Sequence, residues 1–160
     1  MPKMRLDKNI YAKYVERMSE ALAEDGHILI KQAFEGSDYN HNKTQNLHDS
    51  YGSCVFYNGK EVSNTRRYVG RKATVGKIDP IGNIVLGRAE IDSFFDGYKA
   101  KSKGFELVLA AAIFYGQILE DGSGKLKRKY RVISFMADKV ENVARKYGGT
   151  VNRIQEGKRV

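Results

Sequence analysis

At 160 residues and 41% hydrophobic content the chain can bury a real core as one domain, which excludes wholesale disorder. A lone cysteine, Cys54, excludes an internal disulfide framework and fits a reducing compartment; no apolar run approaches the roughly 18 residues of a membrane span, and the opening MPKMRLDKN has no apolar core or cleavage site of a secretory signal. The formal charge of +9 points to a polyanionic partner, because Lys and Arg near phosphate release condensed counterions, although charge kept for solubility gives the same balance.

The first predicted element is a long amphipathic helix from Asp7 to Phe34. Tyr11, Val15, Met18, Leu22, Gly26, Leu29 and Ala33 keep the alternating 4,3 spacing that gathers apolar residues on one face. Asp7 is placed to cap its start. Gly26 interrupts it at a cost of about 1 kcal/mol relative to alanine, which predicts a bend or break. Unbroken, the helix is about 40 Å long. That is long for a small domain, so part of it is expected to lie against a neighbouring subunit. Gly36 to Lys43 reads as a polar loop, and Thr44 as the cap of a short helix running through Leu47 to Ser50. Tyr51 to Tyr57 reads as a strand. Asn58-Gly59 is a two-residue hairpin signal, because both turn positions require positive φ; the return strand begins near Glu61.

The stretch from Arg66 to Lys103 holds five glycines and Pro80, with short apolar runs such as Ile84-Val85-Leu86. Connections this long are unusual inside a compact domain. Two readings stay open: an inserted arm, partly a β-hairpin, that projects from the body, or further strands added to the sheet. Ala89 to Tyr98 is predicted as a short helix within it. Phe105, Leu107 and Leu109 mark a strand, and Ala110 to Glu120 is predicted to turn helical before Asp121-Gly122-Ser123-Gly124. A last amphipathic helix spans Val132 to Tyr147, stopped by Gly148-Gly149, with a final strand over Thr150 to Ile154. The whole chain, 1–160, reads as a single α+β domain with an inserted arm at about 66–103. A small antiparallel sheet is packed with the long N-terminal helix and the C-terminal helix.

The cations are unevenly spread. Val62 to Ile78 contains no acid but holds Arg66, Arg67, Arg71, Lys72 and Lys77. Gly122 to Ala137 contains no acid but holds Lys125, Lys127, Arg128, Lys129 and Arg131. Catalytic chemistry is hard to find. His27, His41 and His48 show no metal-ligand spacing with one another or with Cys54, and a Cys54–His48 nucleophile pair has no family signature. Gly70 to Lys77 resembles a phosphate loop but has five residues between its glycines and Ile78 where Ser or Thr belongs. Glu90, Asp92 and Asp96 flank Ser93-Phe94-Phe95 and read as the wet face of a short helix more than as a metal site. The ten tyrosines suit packing and subunit contact better than base stacking.

Two local patterns carry a resemblance. Thr44-Gln45-Asn46-Leu47-His48-Asp49-Ser50 lies between the first helix and a strand. Ala111 to Gly122 (AAIFYGQILEDG) follows a strand and precedes the last helix. In this order they resemble the T-G-x-L-x-x-S and Y-A-x-x-x-E-x-G patterns of the neck and tail-completion family of tailed bacteriophages. Thr44, Leu47 and Ser50 match the first, and Tyr115, Glu120 and Gly122 match the second. Gln45 stands for the usual glycine and Gly116 for the usual alanine. The basic run Lys127 to Arg131 replaces an Arg-Pro-Phe segment, and the 66–103 insertion is longer than typical. The resemblance implies a non-enzymatic virion protein without cofactors. It would form a closed homo-oligomeric ring between head connector and tail, in contact with connector or head-completion proteins and with tail tube or terminator proteins. Such a protein is found in the host cytoplasm during assembly and needs no membrane. Genomic DNA would pass through the ring, with Arg66, Arg67, Arg71, Lys72, Lys125, Lys127, Arg128 and Lys129 as candidates to face DNA or a neighbouring ring. The alternative, drawn from charge alone, is a stand-alone basic nucleic-acid-binding module.

Overall fold

The structure, a computed structural model, describes residues 7–36, 46–112 and 132–152. Helix α1 (Lys8–Gly36) is a continuous helix of 29 residues. Asp7 Oδ1 accepts the Asn9 N–H at 2.9 Å, so the predicted cap is in place. Its buried side is Ser19, Leu22, Ala23, Gly26, Leu29, Ile30, Ala33 and Phe34, the face the 4,3 spacing marked from Leu22 on, whereas Tyr11 at its start is exposed. Gly26 does not break the helix. A Cβ there would lie 2.8 Å from Leu107 Cδ1 and 3.2 Å from Ser53 Cβ, so the glycine lets the helix backbone settle onto the sheet.

The sheet is built around β1 (Tyr51–Tyr57), which follows the short helix α2 (Asn46–Asp49). Strands β2 (Lys60–Glu61) and β3 (Arg67–Tyr68) share one edge of β1. Asn58 and Gly59, both at positive φ, make the expected hairpin turn between β1 and β2. Between β2 and β3 the chain leaves the sheet and Thr65 fills the gap. Its hydroxyl accepts the Val55 N–H at 3.2 Å and donates to the Val62 carbonyl at 2.7 Å. The opposite edge of β1 pairs antiparallel along its whole length with β6 (Phe105–Ala111), Tyr51 facing Ala111 and Tyr57 facing Phe105.

Side chains alternate across the sheet. Tyr51 and Val55 of β1, with Leu107 and Leu109 of β6, face α1, and helix α4 (Val132–Lys146) adds Val140 and Val143 to that layer. Cys54, Phe56, Val108 and Ala110 face the other way, onto Ile91 and Phe95 of helix α3 (Gly87–Gly97). The sheet therefore lies between helical layers, and six of the seven β1 residues are buried. The tie between α1 and α4 is partly polar: Asp25 accepts the Tyr147 hydroxyl at 2.6 Å and the Lys146 ammonium at 3.0 Å. Gly148, at φ +67°, ends α4 as predicted.

Three expectations change. Ala110 and Ala111 are strand, not the start of a helix, because the ladder to Gly52 and Tyr51 continues through them and Ala112 N–H still reaches the Ser50 carbonyl at 3.1 Å; 113–120 lie outside the described residues. Thr150, Val151 and Asn152 form no strand, and 153–154 lie outside the description. The 66–103 segment does not leave the body as one arm. β3 joins the sheet and α3 covers it, and the hairpin of β4 (Lys77–Ile78) and β5 (Ile84–Val85) is left outside these layers.

Candidate functional site

The α2 turn is a polar joint buried in the molecule. Asn46 is fully buried; its Nδ2 donates to the Val85 carbonyl at 3.1 Å, and its Oδ1 accepts the Gly87 N–H. Helix α3 has no side-chain cap at Leu86, and Asn46 supplies from a distant element the acceptor a cap would have provided. A Cβ on Gly87 would collide with the Asn46 carbonyl and come within 2.8 Å of the Ser50 nitrogen, so only glycine fits. Asp49, also fully buried, accepts the Arg88 Nε–H at 2.6 Å and the Ala73 N–H at 2.9 Å. Arg88 continues to the Gly70 carbonyl at 3.2 Å and lies 3.6 Å above the Tyr68 ring. The stretch that resembled a phosphate loop thus gives a backbone N–H, that of Ala73, to a carboxylate of the chain itself.

Arg66 is the centre of a second joint. Its Nε and one Nη bind both oxygens of Glu61 at 2.7 and 2.8 Å, and its other Nη reaches Asp92 at 3.0 Å. Asp96 completes the set, and Asp92 also accepts the Tyr68 hydroxyl. Arg88, Asp92 and Asp96 are spaced four apart along α3, so both joints run down one face of that helix. Glu61 first, then Asp96 and Asp92, hold the Arg66 guanidinium well above its ordinary range against the opposing effect of burial. Burial and Asp92 push the Tyr68 phenol up to about 12. Three carboxylates around one guanidinium leave no spare positive charge, which removes Arg66 from the candidates for DNA contact. The same pairing absorbs Asp92 and Asp96, two of the three acids weighed as a metal site. Among the described residues no group of three His, Cys, Asp or Glu is arranged to hold a metal ion, and no helix is long and apolar enough to cross a membrane.

The β4–β5 hairpin stands on these joints. Its far turn is closed by Asp79, whose Oδ1 accepts the Ile81 and Asn83 N–H groups at 3.0 and 2.8 Å. Ile78 pairs directly with Ile84. Ile78, Ile81 and Ile84 are 70%, 83% and 77% exposed, and Val75 is exposed beside them. Val85, one residue on, is buried against the body. A second exposed apolar group sits on the first turns of α1, at Ile10, Tyr11 and Tyr14.

Comparison with protein families, with characterised proteins and with solved structures returned no match to this chain. The geometry alone therefore sorts the residues marked from the sequence. Leu47 is buried in the core beside Phe34 and Tyr51, and the Ser50 hydroxyl donates to the Leu47 carbonyl at 2.6 Å. Arg67 is half-buried and turned onto the carbonyls of Asn64 and Arg66, while Arg71 and Lys72 are exposed at the foot of the hairpin. Thr44, Tyr115, Glu120, Gly122, Lys125, Lys127, Arg128 and Lys129 lie outside the described residues. Cys54 faces the α3 layer with Thr65 at 3.8 Å, and burial pushes its thiol up to about 12, so it stays protonated and unreactive at neutral pH. His48 packs against the Phe34 ring in the other layer. Its Nε2 is buried without a hydrogen-bond partner among the described residues, and burial holds its pKa below the usual histidine value. The two do not form a nucleophile pair. Another basic group, Lys60 with Lys99, Lys101 and Lys103, stands outside the acid-free runs. Its one signal in the sequence is the alternation Lys-Ala-Lys-Ser-Lys.

Proposed function

We propose that this chain is a non-enzymatic structural subunit of a closed ring at the head–tail junction of a tailed phage, a neck or tail-completion protein around the DNA channel. The observation that carries this reading is the hairpin, which presents Ile78, Ile81 and Ile84 to water from a firmly anchored base. An isolated two-stranded ribbon is marginal in water, and covering its isoleucines returns roughly 25 cal/mol for each Å² of apolar surface. The first turns of α1 offer a different apolar patch on the same chain. A protruding patch and a receiving patch at separate places make a head-to-tail contact, and such contacts close into rings when the rotation per copy permits.

The order of the two family-like patterns, one before the central strand and one after β6, supports the same reading. So does the basic balance, which suits a wall that DNA slides past. The neighbours would be connector or head-completion proteins on one side and tail tube or terminator proteins on the other. The experiment is an electron cryomicroscopy map of the assembled particle that contains this chain. A symmetric ring of copies at the head–tail junction is the expected result. Isolated copies, or copies placed away from the head–tail junction, would overturn the proposal.

A further inference from the structure

We propose that the turn end of the sheet, where Lys60 meets Lys99, Lys101 and Lys103, is a sequence-blind docking face for the phosphate backbone of double-stranded DNA. This deepens the channel reading and rests on its DNA-contact part, while moving the contact away from Arg66 and Arg67.

The face is built, not accidental. Lys60 follows the Asn58-Gly59 turn, and Lys99, Lys101 and Lys103 lie on the loop between α3 and β6. A two-way clasp joins them: Asn58 N–H donates to the Gly104 carbonyl at 2.9 Å, and Gly104 N–H donates to Asn58 Oδ1 at 2.8 Å. Gly59 faces the Ala100 carbonyl across the seam. Gly104 takes φ +91°, a conformation that suits glycine. Of the acids nearest these lysines in sequence, Glu61 and Asp96 are bound to Arg66, and Glu106, three residues after Lys103, is also committed elsewhere. Its carboxylate accepts the Tyr98 hydroxyl and the N–H groups of Lys101 at 3.2 Å and Ser102 at 3.3 Å. It shapes the loop and leaves the ammonium groups alone. All four lysines are exposed, and none makes an ion pair among the described residues. Arg66 and Arg88, by contrast, are spent on carboxylates.

Composition favours DNA over an acidic protein. Protein interfaces have an apolar centre and are depleted in lysine. Between these lysines stand only Ala100 and Ser102. Flexible point charges without an apolar centre suit phosphates, which position a duplex without reading its sequence.

The test is binding of the dispersed chain to a short labelled duplex of arbitrary sequence, followed by fluorescence anisotropy across a salt series. Because it needs no ring, it separates failure of this face from failure of the assembly reading. Replacing Lys60, Lys99, Lys101 and Lys103 together by serine should weaken binding at low salt at least roughly tenfold and reduce the log–log salt slope by about 3 to 4. The corresponding four Lys→Arg changes should keep both. Unchanged thermal unfolding of the variants guards against a folding artefact, and Lys101→Glu alone gives a smaller loss in the same direction. The proposal is overturned if the wild-type chain does not bind duplex at low salt, if the serine variant keeps affinity and slope, or if polyglutamate binds the face as tightly as the duplex.

Discussion

Asp49 shows how much of this molecule depends on single buried polar groups. It satisfies the Ala73 N–H and neutralises Arg88 from a position closed to solvent. Losing one partner of such a pair is more costly than never having had it, because the other is left stranded. Arg88 keeps some access to water, so Asp49→Ala should cost about 3 kcal/mol, at the low end for buried pairs. Asp49→Asn, which still accepts from Ala73, should cost clearly less. Urea unfolding of the two variants checks the order, and equal losses would mean that the charge contributes nothing. The sequence marked Asp49 only as a place within a family-like pattern. Its partner lies 39 residues away, and no local spacing announces a contact of that kind. The same holds for Arg66, which counted as a free cation because the run around it has no acid. Asp92 and Asp96, 26 and 30 residues on, reach it only once α3 is folded onto the sheet.

At the scale of elements, what could be read was periodic. The α1 face, the β1 strand and the Asn58-Gly59 turn each have a repeat or dipeptide with a direct conformational cause. Within 66–103 the helix was legible, predicted at Ala89–Tyr98 and found at Gly87–Gly97, and so was the presence of a hairpin; where the strands fall was not, because two-residue strands carry no period. The hairpin makes a prediction of its own. Ile78→Asp with Ile84→Asp should leave the stability of the single chain within about 0.5 kcal/mol, since both side chains already face water. In the ring reading the same pair of changes should weaken association between copies at least roughly tenfold, as buried carboxylates without partners are costly. Sedimentation velocity at rising concentration, or incorporation into particles, measures it. Normal assembly of the double variant would exclude the hairpin as the contact.

For the molecule as a whole, the three layers meet through contacts of unequal kind. Apolar packing joins α1 and α3 to the sheet, while α4 adds a polar tie at Asp25. Burial alone would raise the Asp25 pKa, but the Tyr147 hydroxyl and the Lys146 ammonium outweigh it and hold it below the ordinary value of 3.8. A lowered folded-state pKa gives stability that is complete above the unfolded value and disappears as pH falls through the folded one. Asp25→Asn should therefore lower the thermal midpoint by a small, constant margin from neutral pH down to about pH 4, and the two proteins should converge in stronger acid. A gap that persists there would mean that shape, not charge, makes the tie. The long helix and the last helix were both visible in the sequence, but Asp25 lies 122 residues from Tyr147, so their connection was not.

The two legs of the hairpin end on the same small element. Ala73 hangs from Asp49 and Val85 from Asn46, both in α2. A sideways push at Ile81 would therefore reach α2, the turn ahead of the central strand, among its first supports. If the hairpin is the contact between copies, α2 is the element through which a seated neighbour would pull on the rest of the chain.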